Sequence, residues 1–216
     1  TIALLWELHP EMKRVLGGND FDHTLGLIRE CAKTSAKRTV TSHLMVKYYQ
    51  QFGQIDILPV GVNTDLFKPV EDKAALRRKY GIPENRKVGF WCGTTHPMKG
   101  FDKLVQYKND NPDINWVIVW KQKGQDGNLP GAHNYTHVDQ QKLSELMACS
   151  DFILCCGLLQ PFFMVEWEAM ACNLPVIVLD SIEKDFAPST NPRDDVFRLG
   201  WDRKTALQTW KKYIGA

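Results

Sequence analysis

Nowhere does this chain carry the roughly eighteen consecutive apolar residues that cross a bilayer, and its first residues have neither the charged opening nor the long apolar core of a signal peptide. These two absences predict a cytoplasmic protein with no transmembrane segment. Cysteine is present but never in a metal-binding rhythm. Cys31, Cys92, Cys149, Cys155, Cys156 and Cys172 form no CxxC pair, so no zinc site is predicted and the thiols read as small, reduced core residues. The adjacent Cys155 and Cys156 would point to opposite faces of a strand. Charge of one sign is also lacking, since 27 basic against 25 acidic residues leave a formal net charge of +2, which supplies no overall pull toward nucleic acid. The local cluster Arg77, Arg78 and Lys79 reads as the solvated face of a helix that begins after Asp72. No GxGxxG loop occurs early in the chain, which sets aside an epimerase of the dinucleotide-binding type. Repeats and low-complexity segments are absent as well.

What is present is a regular exchange between apolar strands and amphipathic helices. With 216 residues and 44% hydrophobic content, the chain can bury a substantial core, enough for one large α/β domain or one domain and part of a second. A strand is predicted at residues 2–8, a turn at Gly17, Gly18 and Asn19, and a helix at 22–33. Asp20 and Asp22 form a DxD pair but follow glycines rather than an apolar strand, so they read as turn and helix cap. Strands follow at 38–41 and 55–59, separated by a helix at 43–52 that Ser42 can cap. Beyond Pro69, helices are expected at 73–80, 100–107, 140–149 and 164–172, alternating with strands at 87–92, 115–120, 152–156 and 176–179. The last of these strands reads as buried on both faces. Ala206, Leu207, Trp210 and Ile214 recur at helical spacing in a final amphipathic helix, which either covers the preceding sheet or crosses back to the first part of the chain.

Such alternation predicts an α/β fold, a Rossmann-like parallel sheet with helices on both faces, and ligands in such sheets sit at the carboxyl ends of the strands. Gly93, Lys121 and Gln160 each follow a predicted strand there. The segment QPFFMVEWEAMACNLPVIVLD, residues 160–180, joins a polar turn, a helix carrying Glu168 and a strand in one unit. The start of that helix could present the amides of Phe163, Met164 and Val165 to a phosphate, because helix N-termini carry unpaired N–H groups and a partial positive charge.

At these residues the chain resembles the GT-B fold glycosyltransferases of family four. EAMACNLPVIV, residues 168–178, is close to the family's usual EAMACGLPVIA, and LMACSDFILCC, residues 146–156, stands where the family has an alanine-rich helix and its following strand. PVGVNTDLFKP, residues 59–69, is similar to the family's entry into the donor domain, and GTTHPMKGFDKLV, residues 93–105, to its glycine and lysine loop. The four motifs stand in the family's order.

The resemblance implies a GT-B architecture with an incomplete first domain: a shortened acceptor-side region at 1–60, a donor-binding domain at 61–200 and an amphipathic helix at 201–216. It implies transfer of a hexosyl or pentosyl group from a nucleoside diphosphate sugar, on UDP or GDP, with retention of configuration and with no metal or other cofactor. The departing diphosphate would help deprotonate the acceptor on the same face of the sugar. Carried over by position, Lys99 would neutralise the leaving diphosphate, Gly93, Thr94 and Thr95 would form the donor loop, and Glu168 would bind the ribose hydroxyls. A carboxylate suits a vicinal diol because it accepts two hydrogen bonds. Gln160 replaces a family glutamate that meets the sugar hydroxyls, Thr94 stands where an arginine is frequent, and Phe163 where a glycine is usual. Thr95, His96 or Lys121, each in a loop after a neighbouring strand, could make up for the missing arginine. His9, in WELHP, is the nearest counterpart of a catalytic first-domain histidine, ahead of His23 and His43. The acceptor is left open among a glycan, a lipid, a small molecule and a modified nucleobase. The rival reading is a nucleotide-sugar-binding module or subunit whose acceptor site a protein partner or a dimer completes, and an exposed apolar patch on residues 1–60 would favour it.

Overall fold

A computed structural model describes residues 2–5, 17–121, 127–157, 164–179 and 190–215. Two all-parallel sheets carry the fold. The smaller contains β1 (Ile2–Leu4), β2 (Lys37–Val40) and β3 (Asp56–Ile57) in that spatial order. The larger contains β4 (Val88–Gly93), β5 (Asn115–Trp120), β6 (His133–Thr136), β7 (Phe152–Cys155) and β8 (Val176–Val178), ordered β6-β5-β4-β7-β8. The helices are α1 (Gly18–Thr34), α2 (His43–Tyr49), α3 (Lys73–Tyr80), α4 (Phe101–Asp110), α5 (Gln140–Ala148), α6 (Met164–Ala171), α7 (Pro192–Arg198) and α8 (Arg203–Ile214). The expected α/β class with a parallel sheet is borne out. From β4 the chain steps outward to β6, then returns to the opposite side of β4 for β7 and β8. Winding therefore reverses between β4 and β7, and such a switch point opens a crevice at the strands' carboxyl ends.

The period of two along the strands places the core. Phe90, Val117, Val119, Ile153 and Cys155 face one apolar layer with Leu146 and Met147 of α5 and Val165, Trp167 and Met170 of α6. Trp91, Trp116, Ile118, Trp120, Phe152, Leu154 and Cys156 face the other, with Phe101 and Leu104 of α4. Cys155 and Cys156 lie in opposite layers, as alternation requires. Gly89 is dictated by the second layer: a Cβ there would stand 2.7 Å from Trp116 and 2.8 Å from Phe152.

Several elements differ from the sequence reading. α1 starts at Gly18, so Asn19, Asp20 and Asp22 lie inside the helix, and the N-cap position falls on Gly17 at φ 84° with no side-chain cap. Ser42 precedes α2 but makes no capping bond, and its Oγ is buried with no hydrogen-bond partner. The helix itself ends at Tyr49 and continues as a 3-10 turn over Gln50–Phe52. β6 is an additional strand; its half-exposed HNYT sequence has no apolar run to announce it. β8 is only partly buried, because it lies at the edge of the sheet. α7 is also additional, a short helix with proline in its first turn. Cys31 is exposed on α1 rather than in the core.

Arg77 departs furthest from its predicted role. Only 6% exposed, it donates from Nε to the Cys149 carbonyl at 2.9 Å, from Nη1 to the carbonyls of Glu84 and Arg86, and from Nη2 to Asp151 Oδ2 at 2.7 Å. The helix face that carries it packs inward because Leu76 and Tyr80 beside it join the core. Arg78 and Lys79 keep exposed side chains, paired with Glu84 and Glu145.

The final helix crosses back to the smaller sheet. Trp210 Nε1 donates to the Pro59 carbonyl at 2.9 Å and Tyr213 OH to Asp56 Oδ2 at 2.8 Å. Lys37 donates to the Tyr213 carbonyl and stands over its ring. Burial together with the Asp56 carboxylate pushes the Tyr213 phenol up to about 12. No described helix is long and apolar enough to cross a membrane.

Candidate functional site

The crevice at the switch point is a narrow cleft lined by Trp91, Cys92, Gly93, Thr94, Lys99, Lys121, Val165 and the segment Ile153 to Cys156. Each wall follows from local chain chemistry. β4 ends at Gly93, and the loop beyond it is shaped by its own side chains. Thr94 Oγ1 accepts from the His96 N–H at 3.3 Å, and His96 Nδ1 accepts from the Met98 N–H at 3.2 Å. A 3-10 turn over Pro97–Lys99 then delivers Lys99 to the cleft, and Gly100, at φ 62°, turns the chain into α4. Gly100 packs directly on the end of β7; the Cys156 thiol donates to the Lys99 carbonyl at 3.7 Å.

Lys121 follows β5, and its N–H bonds the Gly93 carbonyl at 3.0 Å, which holds it beside the same loop. α6 supplies the third wall. Its C-terminus is closed by Asn173 at φ 61°, where the left-handed turn favours glycine or asparagine. Asn173 Oδ1 accepts from the Arg193 N–H at 3.3 Å, while the Arg193 guanidinium reaches the carbonyls of Ala171, Phe67 and Thr64. One side chain thus ties α6 and α7 to the segment that leads into the larger sheet. Sequence reading missed Arg193, whose contacts come from residues far apart in the chain.

Electrostatics show which charges share the cleft. Burial raises the Glu168 carboxyl above its ordinary value, and the nearby Lys121 ammonium opposes that rise. The Cys92 thiol on the cleft floor is pushed up to about 11 by burial, with Lys121, Glu168 and Lys99 all acting on it. Lys99 and Lys121 are brought together in the lining at the ends of β4 and β5, and the charge of Glu168, on α6, acts on the same thiol. Gly93, Thr94 and Val165 join the two lysines in the lining, and Met164 opens helix α6, which carries Val165 and Glu168. Thr95 is not brought in: it lines a separate shallow groove with Pro97, Phe101, Asp102 and Val105, because the loop turns there into the 3-10 segment. His9, Gln160 and Phe163 lie outside the described residues. Among the described residues no cluster of His, Cys, Asp or Glu is arranged to hold a metal ion.

The fold and cleft define a doubly wound α/β protein with a cationic crevice at its switch point and a carboxylate, Glu168, on the helix beside it. Solved structures of GT-B glycosyltransferases share this fold. Sucrose-phosphate synthase from Thermosynechococcus elongatus superposes with a TM-score of 0.80 at 18% identity, covering 99% of this chain and 67% of that one. Anabaena HepE, solved with UDP-glucose, gives a TM-score of 0.74 at 16% identity over 99% of this chain and 71% of that one. In sequence, D-inositol 3-phosphate glycosyltransferase from Mycobacteroides abscessus is 28% identical over 138 residues, which is 57% of this chain and 31% of that protein. The namesake from Segniliparus rotundus is 27% identical over 169 residues, or 70% of this chain and 37% of that protein. No family model matches the chain. The resemblance to GT-B glycosyltransferases read from the four motifs is borne out, and the chain spans about a third of the length of the curated relatives it matches.

Glu168 makes a test of the site that separates binding from stability. A carboxyl with a raised folded-state value holds its proton more tightly folded than unfolded, so stability falls as pH rises through and beyond its ordinary value of 4.5. Glu168→Gln is therefore expected to melt higher than wild type at pH 7, with the difference vanishing below about pH 4. Melting curves at the two pH values check it; a lower melting temperature for the variant at pH 7 contradicts burial as the cause.

Proposed function

We propose that the chain binds a nucleoside diphosphate sugar in this cleft and acts as the donor side of a glycosyltransferase. Lys99 neutralises the diphosphate, the amides opening α6 at Met164 and Val165 support it, and Glu168 holds the ribose diol. The observation that carries this reading is that Lys99 and Lys121 line one cleft at the ends of β4 and β5, with Glu168 on the adjoining helix α6, where two cations fit a diphosphate and one carboxylate a diol. HepE, whose structures hold UDP-glucose and UDP with glucose, makes a UDP-sugar the first donor to try. The proposed transfer retains configuration and needs no metal, with Gln160 at the sugar and His9 as the first-domain histidine, both carried over from the sequence resemblance. The acceptor is a glycan, a lipid, a small molecule or a modified nucleobase. The binding-module reading draws no support from the apolar surface, since Leu27 is the one exposed large hydrophobic among the described residues up to position 60.

A thermal-shift and calorimetric screen of UDP, GDP, ADP and TDP with their common sugars tests the proposal, hydrolysis of each sugar nucleotide being followed with and without chelator. Binding of one nucleotide series with slow, chelator-insensitive hydrolysis is the expected result. Glu168→Ala should then weaken that binding by about 1–3 kcal/mol, the worth of a charged hydrogen bond. Failure of every nucleotide to bind would overturn the reading.

A further inference from the structure

We propose that the solvent side of α8 is a docking surface for a negatively charged lipid bilayer. The inference stands apart from the nucleotide-sugar reading and needs nothing from the cleft. Protein contacts fasten the other side of α8: Ala206 is buried, Trp210 Nε1 donates to the Pro59 carbonyl and Tyr213 OH to Asp56. The solvent side carries Leu207 and Ile214, each 53% exposed and two helical turns apart. Among the described residues only Leu27, at 57%, is a more exposed large hydrophobic.

Single exposed apolar residues are ordinary on a protein surface, so the charge around these two is what distinguishes them. Residues three and four apart are neighbours on a helix surface. Leu207 has Arg203, Lys204 and Lys211 at those spacings, and Ile214 has Lys211. Lys212 is exposed beside them, and no Asp or Glu occurs from 203 to 216. The two acids that precede α8 most closely are buried and engaged: Asp195 holds Arg198, and Asp202 caps α8. Among the described residues Arg203, Lys204, Lys211 and Lys212 form no ion pair, whereas Arg78 and Lys79 each hold a carboxylate. Leu27 is the contrast, since its neighbours at the same spacings are His23, Thr24, Glu30 and Cys31. Apolar side chains set among unneutralised cations match the boundary of an anionic bilayer, where the cations meet head-group phosphates and the leucine and isoleucine enter the apolar edge. A nucleic acid would use the cations but give the two apolar side chains no dry place. A second copy laid on this face would set cation against cation.

Co-sedimentation of the intact chain with vesicles tests this, using phosphatidylcholine alone and equal parts phosphatidylcholine and phosphatidylglycerol, at low and high salt. Binding to the anionic vesicles alone, weakened by salt, is the expected result. Replacing Lys204, Lys211 and Lys212 together by Gln should weaken it about a hundredfold, each cation contributing about fivefold, while Arg at all three should keep it. Leu207→Gln combined with Ile214→Gln should weaken it about tenfold or more, and Leu27→Gln should leave it unchanged. Every altered side chain is exposed, so all variants should melt with wild type, which separates a lost surface from a lost fold. Absence of binding to the anionic vesicles overturns the inference, as does binding that the α8 variants leave intact or that Leu27→Gln weakens equally. Binding lost with the lysines but indifferent to Leu207 and Ile214 overturns it too, reducing the face to a general polyanion site. Self-association of wild type that the Leu207 and Ile214 changes abolish, read by light scattering, would assign the face to a second copy instead.

Discussion

Alanine at Gly100 is expected to destabilise the protein by about 4 kcal/mol or more and to abolish the proposed donor binding with it. Two independent costs combine. At φ 62° the residue sits in the left-handed region, where an L side chain costs roughly 1–2 kcal/mol. The larger cost is steric: the added Cβ would lie 1.8 Å from the Cys156 carbonyl oxygen and 2.5 Å from its carbon. Those are backbone atoms at the end of β7, which is paired to β4 through Gly89 and Phe90 and to β8 through Ile153, Leu154 and Cys155. The strand cannot yield, so the loop must, and Lys99 immediately before Gly100 moves out of the cleft. Gly26→Ala is the matched control. Gly26 lies within α1 with open space around the added Cβ, and the change should stabilise by about 0.5–1 kcal/mol. Denaturant titration of the two variants measures both; wild-type stability in Gly100→Ala would mean that loop and strand do not pack as described.

Methionine at Arg77 should cost about 3–5 kcal/mol, the loss that follows when one member of a buried ion pair is removed. Its guanidinium serves three carbonyls and a carboxylate from four separate points of the chain: Glu84, Arg86, Cys149 and Asp151. Asp151 in turn accepts from the Val88 N–H at 2.8 Å and from Lys73 at 3.1 Å. The network therefore fastens α3 and the end of α5 to the starts of β4 and β7, the two strands that flank the cleft. Burial pushes the Asp151 carboxyl up, but the Val88 amide, Arg77 and Lys73 together hold it below its ordinary value of 3.8. A depressed carboxyl stabilises the fold above its unfolded value, and that contribution is lost as pH falls through the folded one. Wild type should keep the contribution at neutral pH and shed it in acid, whereas Arg77→Met should lose most of it at every pH. A melting temperature lower by about 10 °C at pH 7 is the expected size. Arg78→Ala supplies the contrast: its pair with Glu84 is half in solvent, and a surface pair contributes about 0–1 kcal/mol. Equal effects of the two variants would refute the buried network.

Much of the larger sheet was legible because its strands are strongly apolar and its helices are bounded by clear signals. Strand β5 and helix α3 fall where the pattern puts them. α3 opens on Asp72, whose carboxylate accepts the Ala75 N–H, and closes on Gly81 at φ 65°. α5 opens in the same way on Asp139. β6 and α7 escaped because neither has the apolar period that betrays an element; pairing with β5 makes the first a strand, and packing on α6 holds the second. Ser42 has the residue type of a cap, yet its hydroxyl is buried without a partner, because propensity is outvoted by packing.

The same division runs through the site. Sequence by itself determined the fold class, the glycine and lysine loop and the helix bearing Glu168, since each is a local pattern of hydrophobic period, turn residue or motif. It also marked Lys121 as following a strand, but only as one of three candidates to replace an arginine. Tertiary structure set their positions apart: pairing of β4 with β5 carries Lys121 to Gly93, while the turn after Thr94 takes Thr95 to another groove and engages His96. Arg77 changed from a solvated charge to a buried fastener for the same reason. Where a side chain finds its partners depends on which strands lie side by side, and that order, β6-β5-β4-β7-β8, is set by the packing of distant segments rather than by any local run of residues.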